Sequence, residues 1–137
     1  MLGGTLLDAR KAGVVRRILV LEDELLISLL LKDWLSELGC ETLGPVASLS
    51  GAVELVETER PDAAILDLMI GKEWSYPVAE ALRGRAVPFA FATGHGAGDI
   101  QPAYADVPVL AKPFEFSAVR RMLAVLISPA RQTRTQA

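Results

Sequence analysis

The chain has 137 residues, of which 51% are hydrophobic and 23% charged, and its formal net charge is −3 at pH 7. This length suits one domain that buries roughly 70% of its unfolded surface. The acidic balance excludes the basic face typical of nucleic-acid binding, and the single cysteine, Cys40, excludes an intramolecular disulfide.

Hydrophobic periodicity predicts strands and helices that alternate along the chain. Short, continuous apolar runs predict strands, and apolar residues spaced by three or four predict helices. The predicted strands are 18–21, 40–43, 63–66, 87–92 and 107–111. The predicted helices are 25–38, 49–60, 77–82, 99–104 and 116–128, and residues 71–76 are predicted as a loop.

Strands that are apolar throughout are covered on both faces, so the pattern predicts an α/β fold with a parallel sheet between helices. We expect residues 16–127 to form the domain, between flexible tails at 1–15 and 128–137, without an output domain. No apolar run approaches the ~20 residues that a membrane span needs, and the N-terminal residues lack a secretory signal. These features predict a soluble, cytoplasmic protein.

Polar side chains follow the predicted strands at the edge where a parallel sheet places its reactive crevice. They are Glu22 and Asp23 after the first strand, Asp67 after the third, Thr93 after the fourth and Lys112 after the fifth. Three crowded carboxylates raise one another's pKa unless a cation neutralises them, and oxygen ligands favour Mg²⁺. A magnesium site beside a hydroxyl and a lysine predicts phosphoryl transfer, with Asp67 as the nucleophile.

Four short segments carry a resemblance to a known family. They are Leu21-Glu22-Asp23-Glu24, Ile65-Leu66-Asp67, Ala92-Thr93-Gly94 and Ala111-Lys112-Pro113-Phe114. In this order, and at the ends of these strands, they resemble the receiver domain of response regulators in two-component systems. The resemblance covers residues 16–127 and implies a five-stranded, flavodoxin-like sheet with the strand order 2-1-3-4-5.

The resemblance also implies a role for each matching residue. Asp67 would accept a phosphoryl group from a phosphohistidine, Thr93 would donate a hydrogen bond to it, and Lys112 would pair with a phosphate oxygen. The implied magnesium ligands are Glu22, Asp23, Asp67 and the backbone carbonyl of Met69. The peptide bond between Lys112 and Pro113 is expected to be cis. Such a protein modifies itself and turns over no external substrate.

A narrower resemblance involves residues 88–94, Pro-Phe-Ala-Phe-Ala-Thr-Gly, which are similar to the motif of the FAT GUY single-domain regulators. That motif continues with a hydrophobic residue and a tyrosine, where this chain has His95 and Gly96. Receivers also commonly carry an aromatic residue three positions before the lysine, where this chain has Val109. We therefore expect signalling through ordering of the glycine-rich segment 94–104 rather than through an aromatic flip.

Two further residues, Met69 and His95, each lie two positions after a predicted site residue. In receivers these positions modulate how fast water attacks the acyl phosphate, and the hypothesis is that His95 affects the lifetime of the phosphorylated state. The implied partners are a sensor histidine kinase or phosphotransfer protein, and a downstream protein that contacts the last two helices. Neither nucleic acid nor membrane is an expected partner, and the protein is expected to be a monomer or weak dimer.

The same residues are compatible with two other functions. A receiver-shaped interaction module would bind partners without being phosphorylated. A phosphatase of the haloacid-dehalogenase type also uses an aspartate, a threonine and a lysine, but it needs a second acid where this chain has Met69, and its nucleophile follows the first strand.

Overall fold

The computed structural model describes residues 15–94 and 97–128, which contain seven strands. In chain order these are β1 (Arg17–Leu21), β2 (Glu41–Val46), β3 (Ala63–Asp67), β4 (Met69–Ile70), β5 (Glu73–Trp74), β6 (Phe89–Thr93) and β7 (Val109–Ala111). Five of them form a parallel sheet in the order β2-β1-β3-β6-β7, and β4 and β5 form a separate antiparallel hairpin. Numbered within the main sheet alone, that order is 2-1-3-4-5, which confirms the predicted fold.

Four α-helices cover the two faces of this sheet. They are α1 (Leu25–Glu37), α2 (Leu49–Glu59), α3 (Tyr76–Gly84) and α4 (Phe116–Leu126). Alternate residues of β1 point to opposite faces: Ile18 and Val20 pack with α1 and α4, whereas Leu19 and Leu21 pack with α2 and α3. Burial on both sides explains why the central strands are apolar throughout.

Local signals set the beginnings of two helices. The Ser48 hydroxyl accepts a hydrogen bond of 3.1 Å from the Gly51 N–H, so Ser48 is the N-cap of α2. Pro77 lies in the first turn of α3, where a missing N–H costs no helical hydrogen bond. A side-chain cap therefore marks the start of α2, and a first-turn proline marks the start of α3, one residue before the predicted position.

Strand β2 is longer than predicted, because it continues through Gly44 and Pro45 to Val46. β2 lies at an edge of the sheet, where proline is tolerated. Gly44 has a φ of +94°, and a Cβ there would lie 2.7 Å from the backbone nitrogen of Val46. The Gly-Pro pair thus shapes an edge strand and does not end it.

Two other predictions in the described chain are wrong. The predicted loop 71–76 contains β5 and the start of α3, because Gly71, with a φ of +61°, allows a tight hairpin turn with Lys72. The predicted helix 99–104 is replaced by two 3₁₀ turns, Ala97–Asp99 and Pro102–Tyr104, because Pro102 cannot continue a helix. The described residues therefore contain four α-helices instead of five.

The predicted tails lie outside the described residues except for Val15 and Ser128. Across the described ranges, no helix has the length and apolar character to cross a membrane.

Candidate functional site

Four parallel strands end at one edge of the sheet, and each brings a predicted site residue to it. The strand registers pair Asp67 with Ala92 of β6 and Thr93 with Ala111 of β7. The residues at this edge are Glu22 and Asp23 after β1, Asp67 at the end of β3, Thr93 at the end of β6 and Lys112 after β7. The structure therefore brings together side chains that lie up to 90 positions apart in the sequence.

Three carboxylates form the acidic part of the site. One oxygen from each of Glu22, Asp23 and Asp67 lies within 4.8 Å of the others. Glu22 is buried, with a side chain only 2% exposed, whereas the Asp67 side chain is 12% exposed and Asp23 faces solvent. The cluster thus extends from the core to the surface.

Lys112 neutralises part of this charge. Its ammonium lies 2.8 Å from Oε1 of Glu22 and 3.2 Å from Oδ2 of Asp67, and it also lies 3.7 Å from the exposed Glu24. Burial works against the charged ammonium, but its hydrogen bond to Glu22 and the charge of Asp67 raise the pKa of Lys112 above its ordinary value. Lys112 is therefore a fixed positive charge in the site.

The nucleophile candidate, Asp67, has an unusual acidity. Burial, and then the charge of Glu22, raise the pKa of Asp67 from its ordinary 3.8 to about 6, although Lys112 lowers it. With all groups ionised, three carboxylates and one lysine leave two negative charges. This charge and this all-oxygen donor set fit a hard divalent cation such as Mg²⁺.

The β4–β5 hairpin lies beside the carboxylates. The Gly71 N–H donates a hydrogen bond of 3.0 Å to Oδ2 of Asp23, which ties the tip of the hairpin to the cluster. The Ser75 N–H donates to the Leu68 carbonyl, so Met69 and Trp74 form a pair that exchanges no ladder hydrogen bonds. The Met69 carbonyl is therefore not used by the hairpin ladder.

Thr93, Lys112 and Pro113 also line the cleft around Asp67. Thr93 is buried, and its carbonyl accepts a hydrogen bond of 3.0 Å from the Lys112 N–H. The peptide bond between Lys112 and Pro113 is cis, as predicted. Val109 is exposed on β7. His95 lies outside the described residues.

The sequence analysis missed three residues that line or close this cleft. Gly71 anchors the hairpin to Asp23, and Trp74 and Asp99 form part of the wall around Asp67. A glycine-lysine turn between two short runs is the only sequence signal for the hairpin, and it is weak for strands of two residues.

The sequence matches the family model described as the response regulator receiver domain over residues 18–124. That span holds the whole sheet apart from Arg17, and every described residue of the cleft. The chain belongs to this receiver-domain family. Its members are signalling modules of two-component systems.

This receiver domain is similar to solved structures of other receivers. It is 44% identical to SdrG from Sphingomonas melonis Fr1, with a TM-score of 0.74, covering 82% of this chain and 97% of SdrG. The BeF3-activated conformation of SdrG, from Pseudomonas melonis Fr1, is 42% identical with a TM-score of 0.70, covering 81% and 95% of the two chains.

Two other proteins extend the comparison. The receiver domain of the sensor histidine kinase PA1611 from Pseudomonas aeruginosa is 26% identical with a TM-score of 0.73 over 83% of this chain and 98% of that one, and a magnesium ion is coordinated in its active site cleft. The transcriptional regulatory protein PdtaR of Mycobacterium tuberculosis is 30% identical over 125 residues, which are 88% of this chain. The chain covers 61% of the length of PdtaR.

Proposed function

We propose that this receiver domain, residues 16–127, is a stand-alone cytoplasmic response regulator that accepts a phosphoryl group on Asp67 from a histidine kinase or phosphotransfer protein. The observation that carries the proposal is the position of Asp67 at the end of β3, in contact with Lys112 and within the carboxylate cluster. The resemblance to the FAT GUY single-domain regulators and the 44% identity to SdrG support this assignment.

The proposed reaction is a transfer between two side chains. A carboxylate oxygen of Asp67 bonds to phosphorus while the phosphorus–nitrogen bond of the donor phosphohistidine breaks. The imidazole leaves with the bonding electron pair. Later attack by water on the acyl phosphate restores Asp67 and releases inorganic phosphate, so the protein returns to its starting state.

Each polar residue of the cleft has a proposed part in this transfer. Glu22, Asp23, Asp67 and the Met69 carbonyl would hold Mg²⁺, which supplies positive charge against the phosphoryl oxygens when bound. Lys112 would transfer its ion pair from Asp67 to a phosphoryl oxygen, and Thr93 would donate a hydrogen bond to another. His95 would affect only the rate at which water attacks.

Asp67→Asn is expected to abolish phosphorylation. Wild-type protein incubated with acetyl phosphate and Mg²⁺ should gain the mass of one phosphoryl group, which hydroxylamine should remove because it cleaves acyl phosphates. The variant should gain none, whereas Asp33→Asn, which changes an exposed acid on α1 outside the cleft, should behave as wild type. Equal labelling of wild type and Asp67→Asn would overturn the proposal, and no labelling of either would favour the interaction module that works without phosphorylation.

Asp23→Asn is expected to weaken magnesium binding at least tenfold, because it removes one of the three carboxylates that share the ion. The measurement is the rise in melting temperature with Mg²⁺ concentration, which follows from binding to the folded state alone. Asp33→Asn again serves as the control, since it removes the same charge elsewhere on the surface. An unchanged magnesium response in Asp23→Asn would place the ion outside this cluster.

The downstream partner is proposed to contact the face formed by β7 and α4. Sequence analysis predicted the last two helices for this role, but the first of them is replaced by 3₁₀ turns. Val109 on β7 and Val125 on α4 are 36% and 51% exposed. Their exposure supports an apolar contact on this face.

A further inference from the structure

Tyr76, at the start of α3, lies within a cluster of aromatic rings. Its ring stacks on Tyr104 with a centroid distance of 5.2 Å and on Trp74 at 6.0 Å. Phe91 of β6 meets it edge-on at 5.8 Å. Tyr76 therefore contacts the site hairpin, the sheet and the segment between β6 and β7 at once.

The Tyr76 hydroxyl makes two hydrogen bonds to that segment. It donates to the Asp99 carbonyl at 3.1 Å and accepts from the Gln101 N–H at 2.9 Å. Both partners are backbone groups, so these bonds fix the backbone position of Asp99 and Gln101. They do not depend on the side chains at those two positions. One phenol thus anchors residues 99–101 to the start of α3.

Two residues that contact Tyr76, Trp74 and Asp99, also line the cleft around Asp67. Trp74 stacks on Tyr76 and belongs to β5, whose partner strand contains Met69. Asp99 accepts the hydrogen bond from Tyr76 and forms part of the cleft wall. A change of shape in the cleft therefore reaches Tyr76 through its ring and through its hydroxyl.

Arg83 of α3 makes a second set of contacts, with residues 103–106. The Arg83 guanidinium lies 4.5 Å from the centroid of the Tyr104 ring and donates 2.8 Å hydrogen bonds to the Ala103 carbonyl and to Asp106. Residues 99–104 are therefore packed on α3 in this structure.

We propose that Tyr76 is the positioning residue that couples the state of Asp67 to residues 97–104. The inference rests on the proposed phosphorylation of Asp67. Val109 stands where receivers commonly carry an aromatic residue, so the ring system of Trp74, Tyr76 and Tyr104 supplies a different route from the cleft. The Tyr76 hydroxyl is the part of this route that holds the backbone.

Tyr76→Phe tests the coupling because it removes the hydroxyl and keeps the ring. Amide NMR spectra are recorded with Mg²⁺, with and without beryllofluoride. Wild type should shift at Asp67, Lys112, Gln101 and Tyr104. In Tyr76→Phe the shifts at Asp67 and Lys112 should persist, while those at Gln101 and Tyr104 should fall to less than about a third, and Gln101 amide exchange should accelerate roughly tenfold.

Tyr104→Phe is the matched control. It removes a hydroxyl from the same ring stack, and among the described residues the Tyr104 hydroxyl makes no hydrogen bond. Its spectra should respond to beryllofluoride as wild type does. A loss of the distant shifts in both variants would make the hydroxyl of Tyr76 irrelevant and overturn the inference.

Gln101→Pro removes the other half of the contact. Gln101 has a φ of −62°, which proline adopts, so the substitution deletes the N–H donated to Tyr76 without requiring a different φ at residue 101. It should reproduce the loss of coupling seen in Tyr76→Phe. If Tyr76→Phe or Gln101→Pro shows the wild-type shift at Tyr104 on addition of beryllofluoride, the inference is wrong. If wild type itself shows no shift at Asp67, the proposed function is wrong instead.

Discussion

Lys112→Met is expected to lower the free energy of unfolding of the metal-free protein by about 3 kcal/mol at pH 7. The substitution preserves much of the side-chain volume but removes the only ammonium in contact with Glu22 and Asp67 among the described residues. Both carboxylates are at least 88% buried, so water cannot replace the lost partner at low cost. Urea unfolding monitored by circular dichroism measures the change.

The control for this prediction is Lys32→Met, which changes an exposed lysine on α1 outside the cleft. We expect its effect to stay within about 0.5 kcal/mol. The double variant Lys112→Met/Asp67→Asn should recover part of the lost stability, because it also removes one of the unpaired charges. Equal stability of wild type and Lys112→Met would mean that the ion pairs contribute nothing net to the fold.

The position of this charged cluster could be predicted from the sequence, because it depends on one topological rule. Parallel strands end at a common edge, so the acids at the ends of β1 and β3 and the lysine after β7 were expected to lie at one edge if those strands belonged to one parallel sheet. The apolar runs around Ile18 and Ile65 are buried on both faces, which made these strands easy to predict.

The partner of Lys112 could not be predicted in the same way. The sequence indicated that Lys112 and Asp67 share an edge, but the shorter contact is to Glu22, at 2.8 Å. That preference depends on side-chain packing between β1 and β7, which are not adjacent in the sheet. Hydrophobic periodicity reports which face of a strand is buried and carries no information on such a distance.

The β4–β5 hairpin and the contacts of Tyr76 with the 3₁₀ turns were the features least predictable from the sequence, for a different reason. Strands of two residues are too short for any periodic pattern, so the hairpin of Met69 and Trp74 gave no periodic signal. The role of Tyr76 depends on a backbone carbonyl of Asp99 and a backbone N–H of Gln101, which every residue except proline also carries. Only the three-dimensional structure distinguishes this tyrosine from an ordinary helix residue.

Asp67→Asn is expected to have the opposite effect to Lys112→Met and to stabilise the metal-free protein by about 2 kcal/mol at pH 7. A pKa raised from 3.8 to about 6 means that ionised Asp67 opposes folding. At ~1.4 kcal/mol per pH unit, the shift corresponds to roughly 3 kcal/mol, which partial exposure to solvent reduces. Asparagine fills the same space without the charge.

The pH dependence of the free energy of unfolding is a second test of whether ionised Asp67 destabilises the folded protein. Asp67 binds its proton more tightly in the folded state, so its favourable contribution is complete below about pH 4 and is lost as the pH rises through about 6. The stability difference between Asp67→Asn and wild type should therefore be largest at pH 7 and shrink towards pH 4. Asp33→Asn, which removes an exposed acid on α1 outside the cleft, is the control.

Magnesium should reduce or reverse the stability difference between Asp67→Asn and wild type. Asp67 is one of three carboxylates close enough to share a cation, so we expect saturating Mg²⁺ to stabilise wild type more than Asp67→Asn. The melting-temperature difference between them should then fall or change sign as Mg²⁺ is added at pH 7. Asp67→Asn could instead be more stable than wild type by the same margin with and without Mg²⁺. That result would contradict the view that the crowded carboxylates serve to bind a cation.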